Sequence, residues 1–360
     1  MKIPPCKPVF DKDMEKAAIN ALRNEFFVLG ESVFKFEEEF AKYCNTDYAV
    51  AVSSGTAALH LSLIALGIKN GDKILTTPMS FIATSNAVIH ANATPVFSDI
   101  DETWNIDPKK IMMKEGAKCI IPVHLYGRPC NMDEILETAE KNKIFVIEDA
   151  CQAHGAEYKN RKAGSIGDIG CFSFYSTKNM IVCGDGGMVT TNDKNVAEII
   201  RKLRDCGRKS SYEHDVIGYT ARLNTVNAAI GIEQLKKLDG WIKKRRENAE
   251  FYRRLLSNIE EITLPVPEKD IKSVYHLFVI RAKRRDKLKE FLKKNEIFCG
   301  IHYQIPIHLQ PIYRELYKYK GGEFPESEKH AEKCLSLPMF PDLKKNEIEY
   351  VCDRIKEFYG

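Results

Sequence analysis

The segment from residue 48 to residue 191 alternates short apolar runs with longer stretches of helical periodicity. The apolar runs are continuous, without the polar alternation of a half-exposed strand, which is typical of strands covered on both faces. The seven runs are residues 49–52, 74–75, 95–97, 119–123, 144–147, 171–175 and 188–190. Helical patterns between and after them cover residues 56–66, 80–90, 132–141 and 195–206. Seven strands with helical crossovers predict a large α/β domain.

The rest of the chain predicts two N-terminal helices and a smaller C-terminal domain. The N-terminal helices cover about residues 13–23 and 33–43, and a long helix runs from about residue 225 to beyond residue 250. Leu264-Pro-Val-Pro267 then breaks the chain. Beyond it, strands are predicted at 275–280 and 297–301, and helices at 285–294 and 345–358. We expect a large domain over residues 1–250 and a small α+β domain over residues 251–360.

Charge and cysteine content exclude several classes of protein. The net charge of +4 is small for 360 residues, and basic and acidic residues are interspersed, so neither nucleic acid nor an anionic membrane is indicated as a partner. The eleven cysteines are scattered without a C-x-x-C pair, which favours reduced thiols. No apolar run approaches the roughly 20 residues that span a bilayer, and the first residues lack a signal-type segment. We therefore expect a cytoplasmic protein.

Lys178 stands at the end of an apolar run and before a glycine-rich segment. The run Gly170-Cys-Phe-Ser-Phe-Tyr175 predicts a strand, and Gly184-Asp-Gly-Gly187 leads into the next one. An ordinary lysine is solvated, but a lysine at the mouth of a buried sheet becomes a useful nucleophile when desolvation lowers its pKa. The setting therefore indicates that Lys178 is a nucleophilic amine.

A predicted turn between a strand and a helix, Ser53-Ser-Gly-Thr-Ala-Ala-Leu59, is a candidate phosphate site. Free N–H groups and the helix dipole attract an anion there, and Gly55 lets the backbone approach closely while Thr56 adds a hydroxyl. The Ser173 hydroxyl, five residues before Lys178, is placed to meet the same phosphate. The alternative is a serine cap with a glycine turn, which is common in proteins without any ligand.

Asp149 follows the most apolar run, in Glu148-Asp-Ala-Cys-Gln-Ala-His-Gly155. A carboxylate at the end of a buried strand needs a partner, and a protonated pyridine nitrogen would suit it. Capping the next turn is the alternative role. Cys151 and His154 lack a second Cys/His pair at ligand spacing, so no metal site is predicted.

Aromatic residues and histidines suggest where further ligand contacts lie. Phe81 is placed to stack on a cofactor ring, with core packing as the alternative. In Ile301-His-Tyr-Gln-Ile-Pro-Ile-His308, the residues His302, Tyr303 and His308 are candidates for lining an acceptor pocket. Histidines of the core or the surface are the alternative interpretation.

Together these motifs resemble the DegT-type, pyridoxal-phosphate-dependent nucleotide-sugar aminotransferases. The matching segments are Phe36-Glu-Glu-Glu-Phe40, Ser54-Gly-Thr-Ala-Ala-Leu59, Glu148-Asp-Ala-Cys-Gln-Ala-His-Gly155, Ser173-Phe-Tyr-Ser-Thr-Lys-Asn179, Gly184-Asp-Gly-Gly187, Ala228-Ala-Ile-Gly231 with Gln234-Leu235, and Leu337-Pro338. The resemblance spans essentially the whole chain. It implies the aspartate-aminotransferase-like fold, fold type I of the PLP-dependent transferases, with a mixed seven-stranded sheet in the large domain and pyridoxal 5′-phosphate as cofactor.

The resemblance also implies a role for each site residue. Lys178 is expected to form the Schiff base with the cofactor and to move protons between the substrate carbon and the cofactor. Asp149 is expected to hold the pyridine nitrogen, Gln152 to contact the ring hydroxyl, and Phe81 to pack on the ring face. The expected phosphate contacts are Gly55, Thr56 and Ser173.

In the family, a segment like Gly218-Tyr-Thr-Ala-Arg222 reaches into the neighbouring subunit's site. The resemblance therefore implies at least a homodimer with shared active sites. Thr220 stands where the family often has asparagine, and its hydroxyl keeps one donor for the phosphate. Arg222, at the end of the same segment, is a candidate substrate contact.

The implied reaction is a ping-pong transamination. An amino acid, L-glutamate by analogy, gives its amino group, which then passes to a keto group of a nucleotide-activated deoxy sugar for surface-polysaccharide or amino-sugar biosynthesis. Some relatives carry histidine in place of the lysine and dehydrate the sugar, so Lys178 disfavours that branch. A PLP- or PMP-dependent sugar dehydratase and a non-catalytic regulatory protein on the same fold remain the alternatives. The sequence does not specify the sugar, the nucleotide or the keto position.

Overall fold

The computed structural model describes residues 2–111, 116–267 and 269–360, and its largest element is a seven-stranded sheet. Numbered along the chain, the strands are β1 (Tyr48–Val52), β2 (Lys73–Thr76), β3 (Thr94–Phe97), β4 (Ala117–Ile120), β5 (Phe145–Asp149), β6 (Glu157–Tyr158), β7 (Arg161–Lys162), β8 (Ile169–Ser173), β9 (Gly187–Thr191), β10 (Ile262–Thr263), β11 (Ile271–Lys272), β12 (Phe278–Ala282) and β13 (Cys334–Leu337). The order across the large sheet is β1-β9-β8-β5-β4-β2-β3. Within this sheet β9 runs antiparallel to its neighbours, and the remaining pairs are parallel. The predicted α/β class with a mixed seven-stranded sheet is confirmed.

The described residues form α-helices on both faces of this sheet and in the C-terminal part. They are α1 (Lys12–Asn24), α2 (Glu31–Cys44), α3 (Gly55–Ala65), α4 (Ala83–His90), α5 (Met132–Asn142), α6 (Lys194–Arg204), α7 (Thr225–Leu256), α8 (Arg285–Lys294), α9 (Pro311–Tyr317), α10 (Pro325–Lys333) and α11 (Lys345–Tyr359). On one face, Phe36 and Phe40 of α2 pack against Phe172 and Phe174. On the other face, α3, α4 and α6 cover the apolar side chains of β1, β5 and β9. None of the helices in the described ranges has the length and apolarity needed to cross a membrane.

The C-terminal part has its own sheet and core. Strands β10, β12 and β13 form an antiparallel sheet, and α8 and α11 pack on it together with the last turns of α7. Ile3 joins this core from the N-terminal segment, where it pairs with Ile297. The predicted boundary at residue 250 falls within α7, which contacts α1 and α2 as well as α11.

One predicted element of this part is wrong. Residues 297–301 do not form a strand, since only single bridges, Ile3 with Ile297 and Gly300 with Ser336, connect them to other segments. The strands that pair with β12 are β10 on one side and, on the other, β13, which lies thirty-odd residues after the predicted strand. The apolar run at 297–301 therefore pairs with other segments only at single residues and has no partner strand along its length.

The topology brings several chain segments to one edge of the large sheet. The carboxyl ends of β1, β2, β5 and β8 point to the same edge, because these strands run in one direction. Ligands in α/β sheets bind outside this edge. The residues that follow these strands therefore surround a common space. Leu277 and Tyr303 of the C-terminal part line the same space.

Candidate functional site

A cavity of about 720 Å³ lies at this edge. Nine of the residues predicted from sequence line it: Gly55, Thr56, Phe81, Asp149, Gln152, Ser173, Lys178, His302 and Tyr303. These residues are far apart in the chain, so the fold has brought an amine, a carboxylate and a helix N-terminus into one space. Both the large and the small part of the molecule contribute to the walls.

Lys178 enters the cavity from the loop after β8. Its backbone N–H donates to the Tyr175 carbonyl at 2.8 Å, which closes a tight turn and places the side chain at the cavity wall. Burial lowers the pKa of the Lys178 ammonium, and the nearby Cys151 and Asp149 oppose part of this shift. A lysine with a lowered pKa keeps a larger fraction of its amine in the nucleophilic, neutral form.

Asp149 is the last residue of β5, and its carboxylate is held on two sides. The Thr84 hydroxyl donates to Oδ2 at 2.8 Å, and the Cys151 N–H donates to Oδ1 at 3.2 Å. The carboxylate is almost fully buried yet lines the cavity, so it has room for one further donor from a ligand. The Thr84 contact was not predicted, because nothing in the sequence ties a threonine of α4 to the end of β5.

The turn between β1 and α3 forms the opposite wall. Ser54 caps α3 by accepting a hydrogen bond from the Ala57 N–H at 3.1 Å. The N–H groups of the first helical turn have no intrahelical acceptor, so they are available to an anion. A Cβ on Gly55 would stand only 2.7 Å from both Cys151 Sγ and Ser173 Cβ. Glycine is therefore required for the helix N-terminus to come this close to the end of β8.

Gln152 is oriented by its neighbours. The Tyr126 N–H donates to Gln152 Oε1 at 2.9 Å, so the Gln152 Nε2 group faces Tyr303, whose hydroxyl lies 3.3 Å away. Phe81 is 55% exposed, and its ring centroid is 6.1 Å from that of Tyr303. A ring that remains this exposed next to a cavity is not part of the core, which favours the ligand-stacking interpretation over core packing.

Histidines next to Lys178 stay neutral. Burial, with a smaller contribution from Lys178, lowers the pKa of His302 to about 4 and that of His154 to about 3. The same causes lower the pKa of His276, which lines the cavity and was not predicted from sequence. Its buried Nδ1 has no hydrogen-bond partner in the described part of the chain. An orphaned polar atom of this kind indicates a missing ligand or water.

Three predicted residues lie outside this cavity. Thr220 is exposed, with its hydroxyl 3.4 Å from Cys206 Sγ, and Arg222 pairs with Asp205 at 2.6 Å. His308 is also outside the cavity, in contrast to the expectation that it lines the acceptor pocket, because its ring is buried against aromatic residues and bonded to Glu328 at 3.1 Å.

His308, Glu323 and Glu328 form a group in which the candidate ligand atoms lie within 4.8 Å of one another. Backbone N–H groups of residues 320–324 already bind both carboxylates. The group therefore closes a loop with its own hydrogen bonds.

Comparisons with known proteins agree with this arrangement. The model of the DegT/DnrJ/EryC1/StrS aminotransferase family matches residues 8–356. A pleiotropic regulatory protein of Geobacillus stearothermophilus is 42% identical over 94% of this chain and 92% of the relative. GDP-perosamine synthase of Escherichia coli O157:H7 is 36% identical over 98% of each chain.

A solved structure is similar over the same extent. The X-ray structure of S. venezuelae DesV in complex with a ketimine intermediate superposes with a TM-score of 0.96 at 36% identity, covering 99% of this chain and 98% of DesV. A family match over nearly all of the chain, together with relatives this similar over at least 92% of their own length, establishes its membership. The chain belongs to the DegT/DnrJ/EryC1/StrS aminotransferase family.

Proposed function

We propose that this aminotransferase uses pyridoxal phosphate to move an amino group from an amino acid to a keto group of a nucleotide-activated deoxy sugar. The observation that carries the proposal is the convergence of Lys178, Asp149 and the N-terminus of α3 on one cavity. Aminotransferases of this family are in general pyridoxal-phosphate-dependent. The relatives named for amino-sugar synthesis support the sugar acceptor.

The residues present fit the cofactor. Its phosphate suits the first turn of α3. At position 55 of this turn, the close contact with Ser173 leaves room only for glycine. Its pyridine nitrogen suits the Asp149 carboxylate, which is buried and has two protein donors in place. Its aldehyde suits Lys178, whose lowered pKa favours the neutral amine. We assign the ring hydroxyl to Gln152 and the ring face to Phe81.

We assign a separate chemical role to each of the residues around the cofactor position. When bound, pyridoxal phosphate supplies the carbon that carries the amino group and an electron sink for the adjacent carbanion. The Lys178 Nζ acts as nucleophile first and afterwards accepts and returns a proton at the substrate carbon. The Asp149 carboxylate favours a protonated ring nitrogen by charge and hydrogen bonding. His276 and His302 stay neutral because burial lowers the pKa of each, so neither adds a positive charge to the cavity.

The charge of the substrates supports a shared site. Among the described residues that line the cavity, Lys178 is the only lysine or arginine, and it is needed for the chemistry. A nucleotide diphosphate and an amino-acid carboxylate both need cationic partners. We therefore assign the cationic Arg222, together with Thr220 of the same segment, to the cavity of a second subunit in a homodimer. The exposed Phe26 and Phe27 give the dimer an apolar surface to bury.

A regulatory role is the alternative from a different class, since one relative is named a pleiotropic regulatory protein. A regulator has no need for a lysine with a lowered pKa next to a buried carboxylate, and both are present here. Sugar dehydration on the same cofactor is disfavoured by Lys178 itself. We place the reaction in the cytoplasm, where the eleven free cysteines would stay reduced.

The proposal is tested by a screen of acceptors. Purified protein with pyridoxal phosphate and L-glutamate is incubated with keto-deoxyhexoses linked to dTDP, UDP or GDP, and both products are quantified by mass spectrometry. We expect 2-oxoglutarate and an amino-sugar nucleotide in equal amounts with at least one acceptor. A deoxygenated sugar without nitrogen would indicate dehydration. A protein that binds no cofactor and turns over no donor would contradict the proposal.

A further inference from the structure

Tyr126 is buried next to the cavity without lining it, yet each of its polar groups holds a residue that does. Its N–H donates to Gln152 Oε1 at 2.9 Å, and its carbonyl accepts from the Leu277 N–H at 3.4 Å. Its hydroxyl donates to the His302 carbonyl oxygen. Gln152, Leu277 and His302 come from different parts of the chain and all line the cavity. Tyr126 therefore joins three segments of the cavity wall, two through its backbone and one through its hydroxyl.

The direction of the hydroxyl is set by the residues behind it. The Arg281 Nε–H donates to His330 Nδ1 at 2.9 Å, so Nδ1 is an acceptor and the ring proton of the neutral imidazole is on Nε2. His330 Nε2 is 2.9 Å from the Tyr126 hydroxyl and donates to it. The hydroxyl proton is thereby left for the His302 carbonyl. The His330 ring also stacks on Trp104, with centroids 4.8 Å apart, which fixes its plane.

Tyr126 also contacts both sides of the gap between Gln152 and Tyr303. The His302 peptide leads into Tyr303, whose hydroxyl faces the Gln152 side chain at 3.3 Å. Tyr126 thus holds Gln152 through its backbone and the Tyr303 segment through its hydroxyl. Gln152 faces the proposed cofactor position, and Tyr303 faces the exposed Phe81, which also lines the cavity.

We propose that Tyr126 is a positioning residue for the keto-sugar acceptor: its hydroxyl fixes the His302–Tyr303 segment at a set distance from Gln152. This inference rests on the proposed function, because it assigns the segment to acceptor binding. The backbone contacts of Tyr126 to Gln152 and Leu277 do not depend on the hydroxyl. Removal of the hydroxyl should therefore release only the His302–Tyr303 segment and leave the cofactor side of the site in place.

The test is Tyr126→Phe, which keeps the ring and removes the hydroxyl. The probe is the keto-deoxyhexose nucleotide that the wild type turns over fastest in the screen above. We expect its KM to rise about tenfold, as follows from the loss of one buried hydrogen bond, with kcat changed less than about twofold. The half-reaction with L-glutamate, followed by cofactor absorbance in a stopped-flow experiment, should keep its wild-type rate.

Tyr158→Phe is the matched control. Tyr158 is also buried, and its hydroxyl donates to Asn131 Oδ1 at 2.9 Å, but neither residue lines the cavity. Both variants should lose thermal stability, and only Tyr126→Phe should lose acceptor affinity. A Tyr126→Phe variant with the wild-type acceptor KM, or with equal losses for donor and acceptor, would overturn the inference.

A second readout does not depend on activity. Hydrogen exchange measured by mass spectrometry should show faster exchange of residues 300–306 in Tyr126→Phe than in the wild type or in Tyr158→Phe. Unchanged exchange of this segment would refute the positioning role. If the wild type itself gave no absorbance change with any amino donor, the proposed function would fail, whereas the exchange experiment would still decide whether Tyr126 holds the segment.

Discussion

The orientation of Asp149 depends on a neighbour that the sequence does not reveal. Its carboxylate is fixed by the Thr84 hydroxyl at 2.8 Å, and Thr84 in turn contacts the Ser80 hydroxyl at 2.8 Å. Hydrogen bonds to a charged group contribute about 1.5–3 kcal/mol each. The orientation of Asp149 toward the cavity therefore depends on α4 as well as on β5.

Thr84→Val tests this dependence, because it removes the hydroxyl and keeps the shape. We expect kcat to fall about tenfold and cofactor binding to weaken, since Asp149 loses one of its two protein donors. Cofactor titration and steady-state kinetics measure both effects. Thr138→Val is the control: its hydroxyl donates to the Glu134 carbonyl within α5, and its loss should leave both values unchanged.

His154 makes stability depend on pH. Burial, with a smaller contribution from Lys178, lowers its pKa from 6.5 to about 3. Below pH 6.5 the unfolded chain therefore takes up a proton that the folded protein does not, so the free energy of unfolding falls as the pH is lowered toward 3. In urea unfolding between these pH values, His154→Leu should show a shallower fall than the wild type. Equal slopes would contradict this assignment, and the exposed His90→Gln variant controls for loss of a histidine.

At the scale of elements, the site is made where strands end. The β1–α3 turn leaves no room for a Cβ atom at two glycines. A Cβ on Gly55, in the turn, would lie 2.7 Å from Ser173 Cβ. A Cβ on Gly187, at the start of β9, would lie 2.3 Å from the Ser54 carbonyl oxygen. These two close approaches bring the N-terminus of α3 against β8 and β9. The position of the proposed phosphate site is thus set by backbone packing and not by a charged side chain.

Gly55→Ala tests this packing. The added methyl group must push α3 away from β8, and overpacking of this kind costs about 1–3 kcal/mol. We expect a loss of stability together with weaker binding of pyridoxal phosphate in an absorbance titration. Gly240→Ala is the control on α7, where a Cβ meets no atom within 4 Å, and it should raise the free energy of unfolding by up to about 1 kcal/mol. Equal behaviour of the two variants would contradict the packing argument.

Elements with strong local patterns were predictable from the sequence. The buried runs of β8 and β9 and the helix over Arg285–Lys294 follow from continuous apolar character and from helical periodicity. The helices α9 and α10 and the strand β13 were not predicted, because they are short and their apolar residues pack on distant segments such as Phe97 and Val279. The strand placed at 297–301 was wrong for the same reason, since pairing is decided by a partner elsewhere in the chain.

The candidate site residues divide in the same way, into those that a local pattern indicates and those that depend on distant contacts. Residues at strand ends, such as Asp149 and Lys178, were predictable because the α/β order fixes the sheet edge where ligands bind. Thr84, His276 and Tyr126 were not, because their roles come from contacts across more than twenty residues of chain. The position of His308 outside the cavity could not be predicted, because a histidine in an apolar segment carries no signal of which way its ring faces.

At the scale of the whole molecule, several large apolar side chains that do not line the cavity are exposed. Phe26 is 84% exposed, Phe27 66% and Ile217 92%. Ile217 precedes the segment 218–222, whose Thr220 and Arg222 lie outside the cavity of their own chain. A homodimer that buries these side chains would bring this segment to a second cavity, which is the arrangement we propose.

Mixing two inactive variants tests the shared site. Lys178→Ala removes the nucleophile, and Thr220→Glu places a negative charge where the partner's phosphate is proposed to bind. Each homodimer should be inactive. In a mixed dimer, one site combines the unchanged Lys178 of one subunit with the unchanged Thr220 of the other. After co-refolding or co-expression we expect about a quarter of the wild-type activity. Full activity of Thr220→Glu alone, or mixed dimers without activity, would contradict a shared site.

The most direct measurement of the central claim is covalent trapping at Lys178. The wild type is incubated with pyridoxal phosphate, reduced with borohydride and mapped by peptide mass spectrometry. We predict one stable adduct, on Lys178, with an absorbance band that L-glutamate abolishes before reduction, and we predict neither in Lys178→Ala. An adduct on another lysine, or an equal yield of adduct in Lys178→Ala, would contradict the assignment of Lys178 as the residue that carries the cofactor.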